Sequence, residues 1–542
     1  MRACMANDKT IGAVLLDHIP LNAGRVLGIG CGTGALGQAF GRRQPHALYI
    51  GVEPGEALAR AGEGFDAILF GEGVADIHDA LDVLTEARSL TVPGGVCVVA
   101  LSNPAHWRAL QQGGGPGDAG FSWPEAGDPR FSVLDRAVDA LRKAGWAFVD
   151  VFSRVVDRAK TDVAVAALAP LAERLQITPQ RLRRTLATKE WVICAVNGPA
   201  PSRLDMVGLG LQKIGGVTEA RIDHPLAALR TLPGVRTVWD AGGAPIPGHF
   251  EPGIFVLHRQ FLDDPAFNAG LDGLIAKGWV IVSEIDDDPY RWPEYAANDF
   301  RAFRGVHAVT VSTETLAATI RSWNPTVEVF PNAMFALPRQ SPTTPKQGER
   351  LRLFFGALNR GRDWAAIRQG VLAAAATLGD VVEFVVVHDR EIHDDLPAQV
   401  HKTFHPTLPY DRYIAVLATC DVALLPLEDT PFNRRKSDLK FIECCAAGVV
   451  PICSPLVYAD RAEHHAIGLF ATDAGEWREA IERLCGSPET VGRRRALGMD
   501  YVGRERMHGQ QVAARERFYR GLMARRAALE QERQLRLAAS GG

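Results

Sequence analysis

The sequence predicts an α/β protein made of three parallel-sheet units. Three observations carry this. The chain has 542 residues, more than one hydrophobic core supports. Short β-branched runs alternate with longer helical patterns, as parallel sheets with helical crossovers do. Two stretches rich in turn residues, Asn197-Gly198-Pro199-Ala200-Pro201-Ser202 and Pro338 to Gly348, interrupt the alternation. Both read as linkers. They predict units at 1–200, 204–338 and 350–505, then a C-terminal segment at 506–542; the three units are of normal domain size.

Composition narrows the class. Hydrophobic residues make up 47% and charged residues 23%, which fits a folded globular chain. The net charge of −3, from 60 basic and 63 acidic residues, argues against a binder of bulk nucleic acid. No apolar run is long enough to span a bilayer. Met1 to Asp8 lacks the apolar core of a secretory signal. The nine cysteines are scattered, and Cys97, Cys194 and Cys453 sit in apolar runs as buried thiols do. A cytoplasmic location without a disulfide framework is expected. Arg504 to Leu537 is helical and rich in Arg and Ala. It reads either as a solvated helix docked through Phe518 and Leu522, or as a basic surface for peripheral association with the inner face of a membrane.

In the first unit, Arg25-Val26-Leu27-Gly28-Ile29 is a strand running into Gly30-Cys31-Gly32-Thr33-Gly34 and then a helix. Alternating glycines let the backbone approach a ligand closely. A second strand, Ala47 to Val52, ends at Glu53, where a carboxylate is placed for ribose hydroxyls. Phe65 to Phe70 is a further strand, and Pro93-Gly94-Gly95 precedes another. On these residues the unit resembles the class I S-adenosylmethionine-dependent methyltransferases over roughly 22–196. The resemblance implies S-adenosylmethionine as cofactor, with Gly30, Gly32 and Gly34 along its methionine moiety and Glu53 on its ribose. The family usually has an acid where this chain has Gly28, and Ala75-Asp76 replaces a Glu-His pair. The stretch from Glu53 to Phe65 is short for a helix, a third strand and a return. An active methyltransferase and a scaffold that has lost the activity both stay open. His106 reads as a base near the acceptor or as a histidine packed in a loop.

In the second unit, buried strands end at His258-Arg259, at Asp286-Asp287-Asp288, before Ser312-Thr313, and at Asn332. Ligands of open parallel sheets sit outside such strand ends. Arg259 is the acceptor-side candidate. The Asp286–Asp288 cluster reads as a helix cap, a holder of an acceptor hydroxyl with Asp287 in the lead, or a divalent-cation site. In the third unit, Phe354-Phe355-Gly356 leads through Asn359-Arg360-Gly361 into a helix. His388-Asp389 reads as a strand-end turn. The strand Asp421 to Leu427 precedes the most informative stretch: the basic loop Asn433-Arg434-Arg435-Lys436-Ser437, then a helix carrying Glu443, then the strand Val449 to Cys453. Cations and helix N–H groups hold a diphosphate, and Glu443 can hold two ribose hydroxyls. The bland alternative for Arg435, Lys436 and Lys440 is a solvated helix face.

This layout resembles the two-domain GT-B glycosyltransferases of the group carrying two glutamates separated by seven residues, the family 4 type. Glu443 matches the second glutamate; the first falls at Arg435, breaking the pattern. Arg360 matches a basic residue after the first donor-domain strand, and Lys436 lies near the other phosphate position. The fold class expected is therefore three Rossmann-like units: a methyltransferase-like domain followed by a GT-B pair whose last helix crosses back. The implied function is transfer of a sugar from a nucleotide-sugar donor to a glycan or lipid-linked glycan acceptor, in surface polysaccharide synthesis. The expected catalytic set is Arg360, Lys436, Glu443, Arg259 and Asp287, with Gly356, Asn359, Asn433 and Ser437 binding the donor. No metal and no nucleic acid are expected. The rivals are a bifunctional enzyme that also methylates the glycan, and a nucleotide- or sugar-binding module without turnover.

Overall fold

Among the described residues of a computed structural model of the chain, eighteen strands form three six-stranded sheets. The structure describes all residues except 1–10, 32–33, 54–55, 57–61, 72–79, 104–105, 109–128, 156, 175, 244–245, 340–349, 357–359 and 541–542. The chain divides into two units, one of residues 1–205, 227–238 and 245–251, the other of residues 206–226, 239–244 and 252–542.

The first unit is built on β1 (Arg25–Ile29), β2 (Leu48–Val52), β3 (Phe65–Phe70), β4 (Thr91–Ser102), β5 (Ala147–Val155) and β6 (Thr188–Val196), in the order β2-β1-β3-β4-β6-β5. Strands β1 to β4 are parallel. The expectation of a wholly parallel sheet fails at β6, which is antiparallel to β4 and β5. Its buried apolar run, Trp191 to Val196, is covered on both faces and so carries no mark of strand direction. Strand β2 is the sheet edge. Among the described residues no strand lies beyond it, in keeping with the short stretch from Glu53 to Phe65.

The second sheet contains β7 (Leu204–Gly210), β8 (Val235–Ala241), β9 (Ile254–His258), β10 (Val280–Ile285), β11 (Ala308–Val311) and β12 (Val327–Val329), in the order β12-β11-β10-β9-β7-β8. From β12 to β7 it is parallel. The third contains β13 (Leu351–Gly356), β14 (Val382–Val387), β15 (His401–His405), β16 (Val422–Leu425), β17 (Val450–Cys453) and β18 (Leu469–Phe470), in the order β15-β14-β13-β16-β17-β18, all parallel. Its inner strands are apolar runs because helices cover both faces: Val385, Val387 and Ala423 face one core, Phe384, Val386 and Val422 the other. Each such side chain contributes about 1.5–3 kcal/mol by leaving water.

These strand orders position the site. The third sheet has the doubly wound order 3-2-1-4-5-6, with its switch point between β13 and β16. The second has the order 2-1-3-4-5-6, with its switch point between β7 and β9. Chain reversal at such a point opens a crevice beyond the strand ends.

The C-terminal segment returns to the second sheet. His508–Ala524 lays Phe518 edge-on to Phe330 and the Arg515 guanidinium over the same ring. In Arg526–Ser540, Arg533 bonds Asp272 and the Gly305 carbonyl, and Arg536 bonds the Arg304 and Val306 carbonyls. Arg533 and Arg536 are turned inward, because carbonyls left at the ends of neighbouring elements need donors, while Arg517, Arg525 and Arg526 are exposed. Cys97, Cys194, Cys420, Cys444, Cys445 and Cys453 are buried free thiols. No helix among the described residues is long and apolar enough to cross a membrane.

Candidate functional site

The third sheet gathers the basic residues at its switch point. β13 ends at Gly356, whose carbonyl accepts from the Tyr413 hydroxyl at 3.0 Å. A Cβ on Gly356 would lie 2.3 Å from Phe354 Cζ and 3.0 Å from Tyr413, so glycine is required there for packing. Asn359 lies outside the described residues. Arg360 precedes the helix Gly361–Leu378 and pairs with Asp363 at 2.7 Å. The other Asp363 oxygen accepts from the Glu428 N–H at 2.7 Å and faces Asn433 Nδ2 at 3.4 Å. Asp363 thus ties the end of β13 to the loop after β16. Asn433, buried, is a loop-former: its Nδ2 donates to the Glu428 carbonyl at 2.9 Å.

Glu443 projects from the helix Leu439–Ala446 and is fully buried. Its Oε2 accepts from Lys440 Nζ at 2.9 Å, and its Oε1 has no hydrogen-bond partner. A buried carboxylate oxygen without a donor is rare and calls for a ligand hydroxyl or water. Lys440 Nζ also lies 4.2 Å from the Tyr413 ring centroid. Tyr410 stands beside Glu443, where burial and the adjacent carboxylate push its phenol up. Asp438, at the start of this helix, is held by Arg506, which also donates to the Asn332 carbonyl. Burial opposes ionisation of Asp438, but Arg506 outweighs it and keeps the carboxyl below its usual range.

The second sheet presents its strand ends to this loop. Arg259 follows β9 with φ 55°, a left-handed conformation that costs a non-glycine residue about 1–3 kcal/mol. It pairs with Asp286 at 2.7 Å. Burial alone would raise the Asp286 carboxyl, yet Arg259 and His258 hold it far below the usual range. Asp287 faces Lys436 at 3.6 Å. Asp288 accepts from the Tyr290 N–H at 3.1 Å, capping the short helix Pro289–Arg291, and pairs with Arg435 at 2.7 Å. Ser437 accepts from Asn332 Nδ2 at 2.7 Å, and Thr313 donates to the Arg435 carbonyl at 3.3 Å. Of the sequence-derived residues, Lys436 thus faces Asp287 and feels the charge of Arg360, Arg259 pairs with the neighbouring Asp286, and Ser437 bonds Asn332. Arg435 departs from the expectation of a phosphate-facing cation: Asp288 and Thr319 occupy its guanidinium. Among the described residues no group of three or more metal-ligating side chains is found.

The first unit carries its own strand-end cluster. Gly30 and Gly34 have φ 60° and 83°; Gly32 lies outside the described residues. Because Ile29 pairs with Val52 in parallel register, Gly30 and Glu53 emerge side by side, and Glu53 is exposed. A Cβ on Gly28 would lie 2.1 Å from the Tyr49 hydroxyl. Tyr49 fills the space an acidic side chain at position 28 would need, which explains that departure from the methyltransferase pattern. His106 is buried with Nε2 unpartnered. Burial and the cations Arg108, Lys189 and Arg154 lower its pKa to about 4. Ala75-Asp76 lies outside the described residues.

Loops at the strand ends of two doubly wound sheets meet through the Asp287–Lys436 and Asp288–Arg435 pairs, and the C-terminal helices return to the earlier sheet. The second unit is a pair of Rossmann-like sheets. This assignment rests on the strand orders. No family model matches the chain. Its N-terminal part is similar to the ubiquinone biosynthesis O-methyltransferases of Cereibacter sphaeroides, at 29% identity over 160 residues, and of Ruegeria pomeroyi, at 30% over 154. The matches cover 24% and 23% of this chain and 64% and 61% of those proteins, so the chain spans less than two thirds of the curated relatives it matches. The first unit is methyltransferase-like. Solved structures similar to the chain include HepE of Anabaena in complex with UDP and glucose, with TM-score 0.41 and 14% identity, covering 58% of this chain and 99% of that one. They also include WaaG, a glycosyltransferase involved in lipopolysaccharide biosynthesis, with TM-score 0.40 and 13% identity, covering 57% and 98%.

Several residues around Glu443 and the strand ends escape a reading of sequence. Tyr413 and Tyr410 lie on a helix face indistinguishable from core. His388, set aside as a strand-end turn, stacks on Tyr413 with ring centroids 5.7 Å apart and has φ 78°. Its Nδ1 is buried without a partner, and its position directly after β14 was the signal. Gly215-Gly216, after β7, approaches Tyr410: a Cβ on Gly216 would lie 3.5 Å from that ring.

Proposed function

We propose that the protein is a cytoplasmic glycosyltransferase moving a sugar from a nucleoside-diphosphate donor to a glycan or lipid-linked glycan, in surface polysaccharide synthesis. One observation carries this reading: a fully buried carboxylate, Glu443, is paired with Lys440 on the helix that follows the basic loop carrying Lys436, in a doubly wound sheet whose switch-point strand leads to Arg360. Such a crevice takes a nucleotide. Glu443 takes the ribose hydroxyls, Arg360 and Lys436 the diphosphate, and Gly356, Asn359, Asn433 and Ser437 shape the donor pocket.

Breaking the sugar–phosphate bond builds positive charge on the sugar and negative charge on the leaving diphosphate. The sugar's transition state has the oxocarbenium character of glycoside chemistry. Fixed cations stabilise the leaving group, and one oriented donor in a closed site is worth several kcal/mol, roughly the cost of deleting an oxyanion-hole group. Arg259 and Asp287 stand at the acceptor-side strand ends, where the incoming hydroxyl is oriented. Closing of the two domains excludes water, so hydrolysis of the donor is suppressed.

The test is transfer from a panel of labelled nucleotide sugars to the glycan fraction of the source cell. Glu443→Ala and Lys436→Ala are each expected to lower transfer at least tenfold, about 1.4 kcal/mol in the barrier. Full activity in both variants contradicts the assigned site.

A second reading, an enzyme that also methylates the glycan, is favoured by the side-by-side placement of Gly30 and the exposed Glu53. These residues fit S-adenosylmethionine, with Glu53 on its ribose and the glycine turn along its methionine end. When bound, that cofactor supplies an electrophilic methyl group. Titration calorimetry with S-adenosylmethionine tests it: saturable heat supports the second activity, and none leaves the unit a scaffold.

A further inference from the structure

The basic loop that the proposed function assigns to the donor's diphosphate faces carboxylates of the second sheet. Lys436 Nζ lies 3.6 Å from Asp287 and 4.1 Å from the centroid of the Phe432 ring. Arg435 is tied more tightly, at 2.7 Å from Asp288. Asp286 is tied to Arg259, also at 2.7 Å. Of the three aspartates, Asp287 alone is loosely held. The same Oδ1 that faces Lys436 also accepts from the Asp288 N–H at 3.1 Å, which orients the carboxylate. Its cation is half-buried, and the aromatic face under Lys436 keeps the ammonium in place when its anion changes.

Resting on the donor-site reading, we propose that Asp287 is a positioning residue that stands in for the donor's diphosphate: it holds Lys436 in the free enzyme, yields it when the donor binds, and then accepts a hydrogen bond from the acceptor hydroxyl.

The physical reason is a difference in charge. A diphosphate carries more negative charge than a carboxylate and offers several oxygens, so it takes Lys436 from a loose partner but not Arg435 from a tight one. Asp287 lies on the acceptor-side sheet, and burial already pushes its carboxyl up, with Lys436 opposing. Losing Lys436 leaves a half-buried carboxylate without a cation. A hydroxyl donor then satisfies it, which orders the acceptor only after the donor is in place. Donor binding must break the Lys436–Asp287 pair, so the free enzyme binds donor less tightly than the loop's cations alone would allow.

Titration calorimetry with UDP, GDP, ADP and dTDP at low ionic strength tests this. The expected result is about tenfold tighter binding of the preferred nucleotide by Asp287→Asn, while transfer by that variant shows a raised KM for acceptor. Lys436→Met is expected to bind nucleotide about tenfold more weakly, and Asp287→Asn added to it gives no tightening. Asp287→Ser replaces the amide variant if that one does not fold. Nucleotide binding by the wild type with unchanged or weaker binding by the Asp287 variants overturns the stand-in role while leaving the donor site intact. Equal tightening with and without Lys436 overturns it as well. Absence of binding by the wild type to all four nucleotides overturns the donor-site reading itself.

Discussion

Glu443 concentrates the argument at the scale of single residues. Its type and place on a helix after a basic loop were legible in sequence. Its full burial was not, because this depends on Tyr410 and Tyr413 closing around it and Lys440 from another helix. Arg435 shows the converse. A charge run suggests phosphate, yet its guanidinium is occupied by Asp288, a partner 147 positions away that no local pattern reveals. Arg221 was invisible to the same reading. It is buried, pairs with Glu284 at 2.7 Å and donates to the Phe330 carbonyl and Asn332 Oδ1 at 2.8 Å each. Removing one partner of a buried pair strands the other. Arg221→Ala is therefore expected to cost about 3–5 kcal/mol, read as a lower denaturant midpoint at unchanged slope.

At the scale of elements, most of the sheets could be read from their apolar runs, since β3, β9, β10 and β14 lie within a residue or three of the expected segments. Direction could not: β6 is antiparallel in a run that looks like its parallel neighbours. Close approaches are equally hidden. A Cβ on Gly370, inside the helix Gly361–Leu378, would lie 2.0 Å from the Ala474 carbonyl oxygen. Helix propensity favours Gly370→Ala, but the steric conflict outweighs it. The expected outcome is a loss of about 1–3 kcal/mol, measurable as a lower unfolding midpoint, and because this helix begins at Arg360, a higher donor KM.

At the scale of the whole molecule, the methyltransferase-like sheet of the first unit and the two doubly wound sheets that follow explain the alternating pattern over so long a chain. The Asp286–Asp288 cluster kept three readings open in sequence. Each carboxylate now has a cation opposite it, so glycosyl transfer is expected to persist in excess chelator. Loss of transfer restored by manganese would revive the cation-binding reading.

Acid sensitivity also follows from the fold. His307 is buried between the second sheet and the returning C-terminal helix, and its Nδ1 accepts from the Ile281 N–H at 2.8 Å. Burial lowers its pKa to about 4, only partly offset by Glu530. An unfolded histidine titrates near 6.5. The unfolded chain therefore binds more protons between these values, and stability rises with pH across that window. The contribution is complete above about pH 6.5 and is lost as the pH falls through about 4. Thermal unfolding is expected to shift to lower temperature over that interval, less steeply in His307→Gln.

The most direct measurement is nucleoside-diphosphate binding to wild-type protein and to Glu443→Gln, by calorimetry, with folding checked by circular dichroism. Saturable binding to the wild type, weakened at least tenfold, about 1.4 kcal/mol, in a variant that remains folded, is the predicted result. Equal affinity in the two proteins, or none in either, contradicts it.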